Sequence, residues 1–173
     1  MIPKVILPTP GYSPTIGRLV CMLTHVRQTL LSAVSGLSSP ELDHLQDSNS
    51  NSIGALLAHA AAVERWFQIL TFDGYEPSDD EIADWLPALD LGERGRQSIQ
   101  GRDLTFYLDD LSRIRQSTLA SLAKQNDLWF EGPLAAKPDW NAHWAWFHVM
   151  EDEIGHCGQI RWLRARLPKM LAQ

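Results

Sequence analysis

The side chains that could do metal or acid–base chemistry in this 173-residue chain gather in two places. The first is His148-Val149-Met150-Glu151-Asp152-Glu153-Ile154-Gly155-His156-Cys157-Gly158-Gln159-Ile160, and the second is the segment around His59. At about 100° per residue in a helix, Ala145, Val149, Asp152, His156, Ile160, Leu163 and Leu167 share one stripe. Asp152 and His156 therefore ride on a face that is otherwise aliphatic. Four residues apart, a carboxylate and an imidazole can share one cation or one strong hydrogen bond. Glu151 points off the stripe, while Glu153, three before His156, lies at its edge as a weaker competitor for the same role.

His59, Asp152 and His156 together offer two imidazole nitrogens and one carboxylate oxygen. Three protein ligands leave coordination positions for water or substrate, whereas a structural zinc site is usually closed by four, often with cysteines. The same spacing also fits a core His156 bonded to Asp152, with His59 half-exposed at the surface. His148 lies near the stripe, as an auxiliary group or as packing at the bundle end. His25 and His143 have no comparable phase. Cys157 follows His156 directly and so points about 100° away from it, which disfavours a ligand or nucleophile role. Gln159, three after His156, can hydrogen-bond inside a bundle.

Four long amphipathic segments must position these groups. Ile16 to Val34 carries Leu19, Met22, Leu23, Val26, Leu30 and Val34 at spacings of three and four. Gly36 to Leu42 reads as a helix stop and a short helical turn, with Ser39 able to cap and Pro40 suited to the first helical position. The polar run 47–52 precedes a second helix starting near Ser52, with Ile53, Leu56, Leu57, Ala60, Val63, Phe67 and Leu70 on its apolar face. His59 and Glu64 flank that face on opposite shoulders. A third helix is expected from Asp103 to Lys124 and a fourth from Trp140 to Leu167, stopped by Pro168. The intervening segment 73–102 is expected to hold a short surface helix over 78–86 halted by Pro87, then loop through Arg96. So long an excursion suits a lid or binding surface. No strand-like alternation appears, and the fold class is all-α, a four-helix bundle.

Composition narrows the partners. One domain spanning 1–173, with a core over about 15–167, is expected from the length and the 45% hydrophobic content. A formal charge of −6 without a basic cluster argues against nucleic acid. The proline-broken start lacks a signal-like apolar run, and no stretch of about 18 apolar residues could span a bilayer. Cytoplasm, with no membrane partner, is the expected setting. Cys21 and Cys157 are expected as free thiols. Trp140, Trp144, Trp146, Phe147, Met150 and Ile154 give the fourth helix a second apolar side, which suits a homodimer.

The segment Ser52-Ile53-Gly54-Ala55-Leu56-Leu57-Ala58-His59-Ala60-Ala61-Ala62-Val63-Glu64-Arg65-Trp66-Phe67 resembles the second-helix motif of the DinB-like (YfiT-like) metal-binding superfamily, and 148–160 resembles its fourth-helix motif. The resemblance is nearest to the branch named for a Streptomyces mini-circle protein and covers about Gly17 to Leu167. It implies a DinB-like four-helix bundle, often dimeric, holding one divalent metal through His59, Asp152 and His156, with zinc or nickel the best-suited cations. In the related mycothiol-dependent maleylpyruvate isomerase the middle ligand is Glu; here it is Asp152, one methylene shorter, with Glu153 a possible substitute. The implied activity is a metal-assisted S-transferase or isomerase using a low-molecular-weight thiol cosubstrate and a small-molecule substrate. The alternative is a non-catalytic metal- or ligand-binding bundle of the stress response.

Overall fold

Helix starts along the chain are fixed by side chains that take up the free N–H groups of a first turn. A computed structural model describes residues 4–168. α1 (Pro14–Val34) begins with proline in its first turn, and its amides of Thr15 and Ile16 donate to the Asp127 carboxylate, 112 and 111 residues away. α2 (Ser39–Asp43) starts in a Ser38/Glu41 capping box, so Ser38 rather than Ser39 is the cap. Ser52 caps α3 (Ile53–Gln68), which runs on into a π-helical turn, Ile69–Asp73. α4 (Leu86–Asp90) and α5 (Gly92–Ser98) follow. Asp103 caps α6 (Leu104–Leu122), Asn126 caps α7 (Asp127–Glu131), and Asn141 caps α8 (Ala142–Arg164). The four expected long helices are α1, α3, α6 and α8.

The core divides into two apolar clusters. One takes Ile16 to Leu23 of α1, Val63 to Leu70 of the second long helix and its π turn, Leu122 of α6 and Ala142 to Val149 of α8. The other takes Leu30 to Val34, Ile53 to Ala61, Tyr107 to Ile114 and Cys157 to Leu163. Each helix thus passes from one cluster to the other, which fixes its direction. α1 and α8 run one way, and α3 and α6 run the other. Because α3 and α6 are parallel, the chain between them must return the length of the bundle.

That requirement explains the long segment 73–102. It retraces α3 from its end to its beginning: Trp85 lies under the Arg65 guanidinium, the Ala88 carbonyl meets His59, the Gly92 amide donates to Asn51, and the Gly101 amide donates to Asp43. The crossover also corrects the sequence expectation. Pro87 lies in the first turn of α4 instead of halting a helix over 78–86, of which 79–85 is turn, and 92–98 is helical instead of loop. Proline lacks an N–H and has a preset φ, so it suits a first turn as well as it ends a helix.

Candidate metal centre

Between the two apolar clusters lies a charged layer. Arg27 of α1, Glu64 of α3, Arg115 of α6 and Glu153 of α8 are all buried, one from each long helix. Arg27 Nε donates to Glu153 Oε1 at 2.6 Å and Nη2 to Glu64 Oε2 at 2.8 Å. Arg115 Nε donates to Glu64 Oε1 at 2.6 Å and Nη2 to Glu153 Oε2 at 2.9 Å. The remaining Nη1 groups donate to the Leu111 and Leu23 carbonyls, and Thr118 donates to Glu64. Burial alone would raise the Glu64 carboxyl, but the two guanidiniums and Thr118 outweigh it and hold the acid below its ordinary pKa. Two cations and two anions cancel, which is the arrangement that makes buried charge tolerable.

This layer settles Glu153. Its carboxylate faces α1 and α6, committed to both arginines, and does not join Asp152. Glu64 is likewise turned into the layer and away from His59. Arg27 and Arg115 have no place in the sequence-based site.

Beside the layer, in the groove between α3 and α8, the structure brings His59, Asp152 and His156 together, with one ligand-type atom from each lying within 4.8 Å of the others. His156 Nε2 is 3.2 Å and His59 Nε2 3.6 Å from the same Asp152 oxygen, Oδ1. The two rings meet edge to face, their centroids 4.8 Å apart. His59 Nδ1–H donates to the Ala88 carbonyl at 2.8 Å, so Nε2, facing Asp152, is the nitrogen that carries a lone pair in the neutral ring and a proton in the charged one. All three side chains retain 13 to 16% exposure, so the trio is lined by protein yet reachable from solvent.

The electrostatics follow from that geometry. Burial pushes the His59 imidazole down, but hydrogen bonding and charge from Asp152, with the carbonyls of Ala88 and Leu89, outweigh it and raise its pKa above the ordinary value. Burial would raise the Asp152 carboxyl, and the two imidazoles reverse this, holding it far below the usual carboxylate range. Asp152 Oδ2 and His156 Nδ1 are buried without a hydrogen-bond partner among the described residues. Buried polar atoms are satisfied by a hydrogen bond or a cation, and these two are placed to take either.

The other candidates lie elsewhere. His148 stacks on Trp144, centroids 5.2 Å apart, and its Nδ1 sits 3.5 Å from Glu151. His143 pairs with Glu131. Cys157 is buried, and burial pushes its thiol pKa up. With His25 it lines a cleft on the α1 side of α8, away from the trio. Cys21 lies on α1, its thiol near the Val5 carbonyl.

Comparison with known proteins places this geometry in a family. A search of curated proteins found no match. The family model described as mycothiol S-transferase matches residues 18–168, taking in α3, α6, α8 and all but the first turn of α1, with His59, Asp152, His156 and the charged layer. The chain belongs to the mycothiol S-transferase family.

Proposed function

We propose that the protein is a metal-assisted, mycothiol-dependent S-transferase whose divalent cation is held by His59, Asp152 and His156. The observation that carries this is the convergence of two imidazoles on one carboxylate oxygen, beside a buried Asp152 oxygen and a buried His156 ring nitrogen that have no hydrogen-bond partner among the described residues. An N,N,O donor set suits late first-row cations, zinc or nickel. His59 has the second partner common to metal-bound histidines, since the Ala88 carbonyl fixes its tautomer and ring orientation.

When bound, the cation supplies Lewis-acid polarisation, lowering the pKa of a thiol at the site so that thiolate predominates at neutral pH. The protein's own groups do the rest. Asp152 stays ionised between two imidazoles, and α4 holds His59 through Ala88. The charged layer ties α3 and α8, which carry the trio, to α1 and α6. Transfer forms a bond between the external thiol's sulfur and an electrophilic carbon; the leaving group departs with the electrons of the broken bond, and the thiol's proton passes to solvent. Neither Cys21 nor Cys157 reaches the trio, so the nucleophile comes from outside the chain.

The test is metal analysis of untagged protein, followed by mycothiol turnover with a generic electrophile. Close to one divalent metal per chain is expected, together with turnover that disappears on chelation and survives a Cys21→Ser, Cys157→Ser double substitution. Stoichiometric metal in a His59→Ala, His156→Ala double variant would overturn the ligand assignment. Activity that vanished with Cys157 and survived chelation would replace the external thiol with covalent catalysis by the protein.

A further inference from the structure

We infer that the groove lined by Asn49, Asn51, Gly158, Gln159, Trp162 and Leu163 holds the polyhydroxylated body of the thiol cosubstrate. The inference rests on the S-transferase reading above for the identity of the thiol. It has its own geometric support. On α8, Gln159 lies three residues and Leu163 seven residues beyond His156, on the same broad face. At a rise of about 1.5 Å per residue these are roughly 4.5 and 10.5 Å along the axis from the metal trio. The far wall is the 49–51 turn immediately before α3, the helix that carries His59. The groove therefore lies along α8 from the trio, toward the end of the bundle.

Its chemistry is distinctive among the five clefts described. The lining carries no ionisable side chain, whereas the cleft beneath the crossover has Arg65, Asp84, Arg102 and Asp110, the cleft near Trp140 has Glu131 and Asp139, and the two on the α1 side carry Lys4 or Arg161 with His25. Amide side chains beside an exposed indole are suited to a neutral polyol, donating and accepting at hydroxyls while the ring packs against C–H faces. Mycothiol is such a molecule, a cysteine-derived thiol on an uncharged-inositol and glucosamine body. The cavity volume of about 540 Å³ is of the size that small-molecule sites occupy. Asn51 is half committed, its Oδ1 accepting from the Gly92 amide, which leaves its Nδ2 group to donate. Gly158 is on the lining, and a Cβ there would meet nothing within 4 Å. A thiol at the trio with its body in this groove runs along α8 without entering the core.

The probe is the N-acetylglucosaminyl-inositol analogue of mycothiol, which lacks the thiol and keeps the sugar nitrogen as an uncharged amide, titrated against metal-loaded full-length protein by calorimetry. Saturable binding to the wild type is expected, weakened tenfold or more by Gln159→Ala with Trp162→Ala and weakened by Gly158→Phe, at the rim the groove shares with the α1-side cleft. The removed side chains are exposed, and replacing a helical glycine favours the helix, so loss of folding is not the expected result. Metal content should be unchanged, and KM for N-acetylcysteine, which has no sugar, should stay within about twofold in the Gln159/Trp162 variant. No binding of the analogue by the wild type, or binding indifferent to these substitutions, overturns the groove. Analogue binding with these sensitivities but no mycothiol turnover keeps the groove and removes the transferase reading; turnover insensitive to the substitutions does the reverse.

Discussion

Asp152 faces two imidazoles through one oxygen, and the protonation of that trio sets how the site answers pH. In the metal-free protein His59 has a raised pKa, so its contribution to stability is fully present below the ordinary imidazole pKa and is lost as pH rises through the raised value. Asp152 is depressed, so its contribution is present above the ordinary carboxylate pKa and is lost as pH falls through the depressed value. A metal needs His59 neutral, so binding releases its proton. The expected outcome is a crossover. As pH rises through the raised imidazole pKa, thermal melts of the metal-free protein should fall, while metal affinity rises by about tenfold per pH unit below that pKa and levels off above it. Parallel movement of both would contradict the proton competition. At the same scale, Asp152→Asn should cost at least tenfold in metal affinity, whereas Glu153→Gln should act mainly on folding because its carboxylate is bonded to Arg27 and Arg115. Competitive chelator titrations beside thermal melts separate the two effects. His59, Asp152 and His156 were legible in the sequence because helical phase put polar groups on or beside apolar stripes. The role of Glu153 was not, since phase gives a direction around one helix and says nothing of what the neighbouring helix presents there.

The charged layer shows that limit among elements. Arg27, Glu64, Arg115 and Glu153 each sit beside an apolar stripe, a signal that was present in the chain. Their pairing spans separations from 37 to 126 residues, and only the packed bundle brings them to one height. Removing one member leaves an uncompensated buried charge, so Glu64→Ala should lose about 3–5 kcal/mol in urea unfolding. Because the Glu64 carboxyl is depressed, its contribution is present above the ordinary carboxylate pKa and lost as pH falls through the depressed value. Glu64→Gln should therefore flatten the acid limb of the stability profile, and an unchanged limb would show that the layer does not control acid unfolding. A tight approach between α3 and α6 gives another check. A Cβ on Gly54 would stand 2.8 Å from the hydroxyl of the buried Tyr107. Gly54→Ala should then destabilise by about 1–3 kcal/mol through overpacking, despite the better helix propensity of alanine. The four long helices were readable from their periodicity, and two of their caps, Ser52 and Asp103, from single residues; Asn141 and the Asp127 carboxylate at the start of α1 were not. The helical pieces of the crossover were not, because five- and seven-residue helices have too few turns for a stripe and Pro87 is compatible with either end of a helix.

At the scale of the molecule, the second apolar side of α8 divides. Trp146 is fully buried beside Phe72, and Met150 is half-buried against the core. Phe147 and Ile154 remain 46% and 52% exposed. Seven residues apart, they present the same face of α8 two turns along. The crossover does not cover them, since it follows α3. The residues approaching from this chain are Val5 and Ile6, which share a cleft with Met150 and Ile154 and are themselves more than half exposed. Together these side chains make one apolar surface on the α1 and α8 side, with His59, Asp152 and His156 on the α3 side. A twofold partner that covers this surface would leave the trio's crevice open, so assembly and chemistry need not compete. The expected state is a homodimer by light scattering at micromolar concentration. Phe147→Glu with Ile154→Glu should convert it to a monomer while metal content stays at the wild-type value. A monomeric wild type would remove the dimer, and a dimer untouched by both substitutions would move the interface to another face.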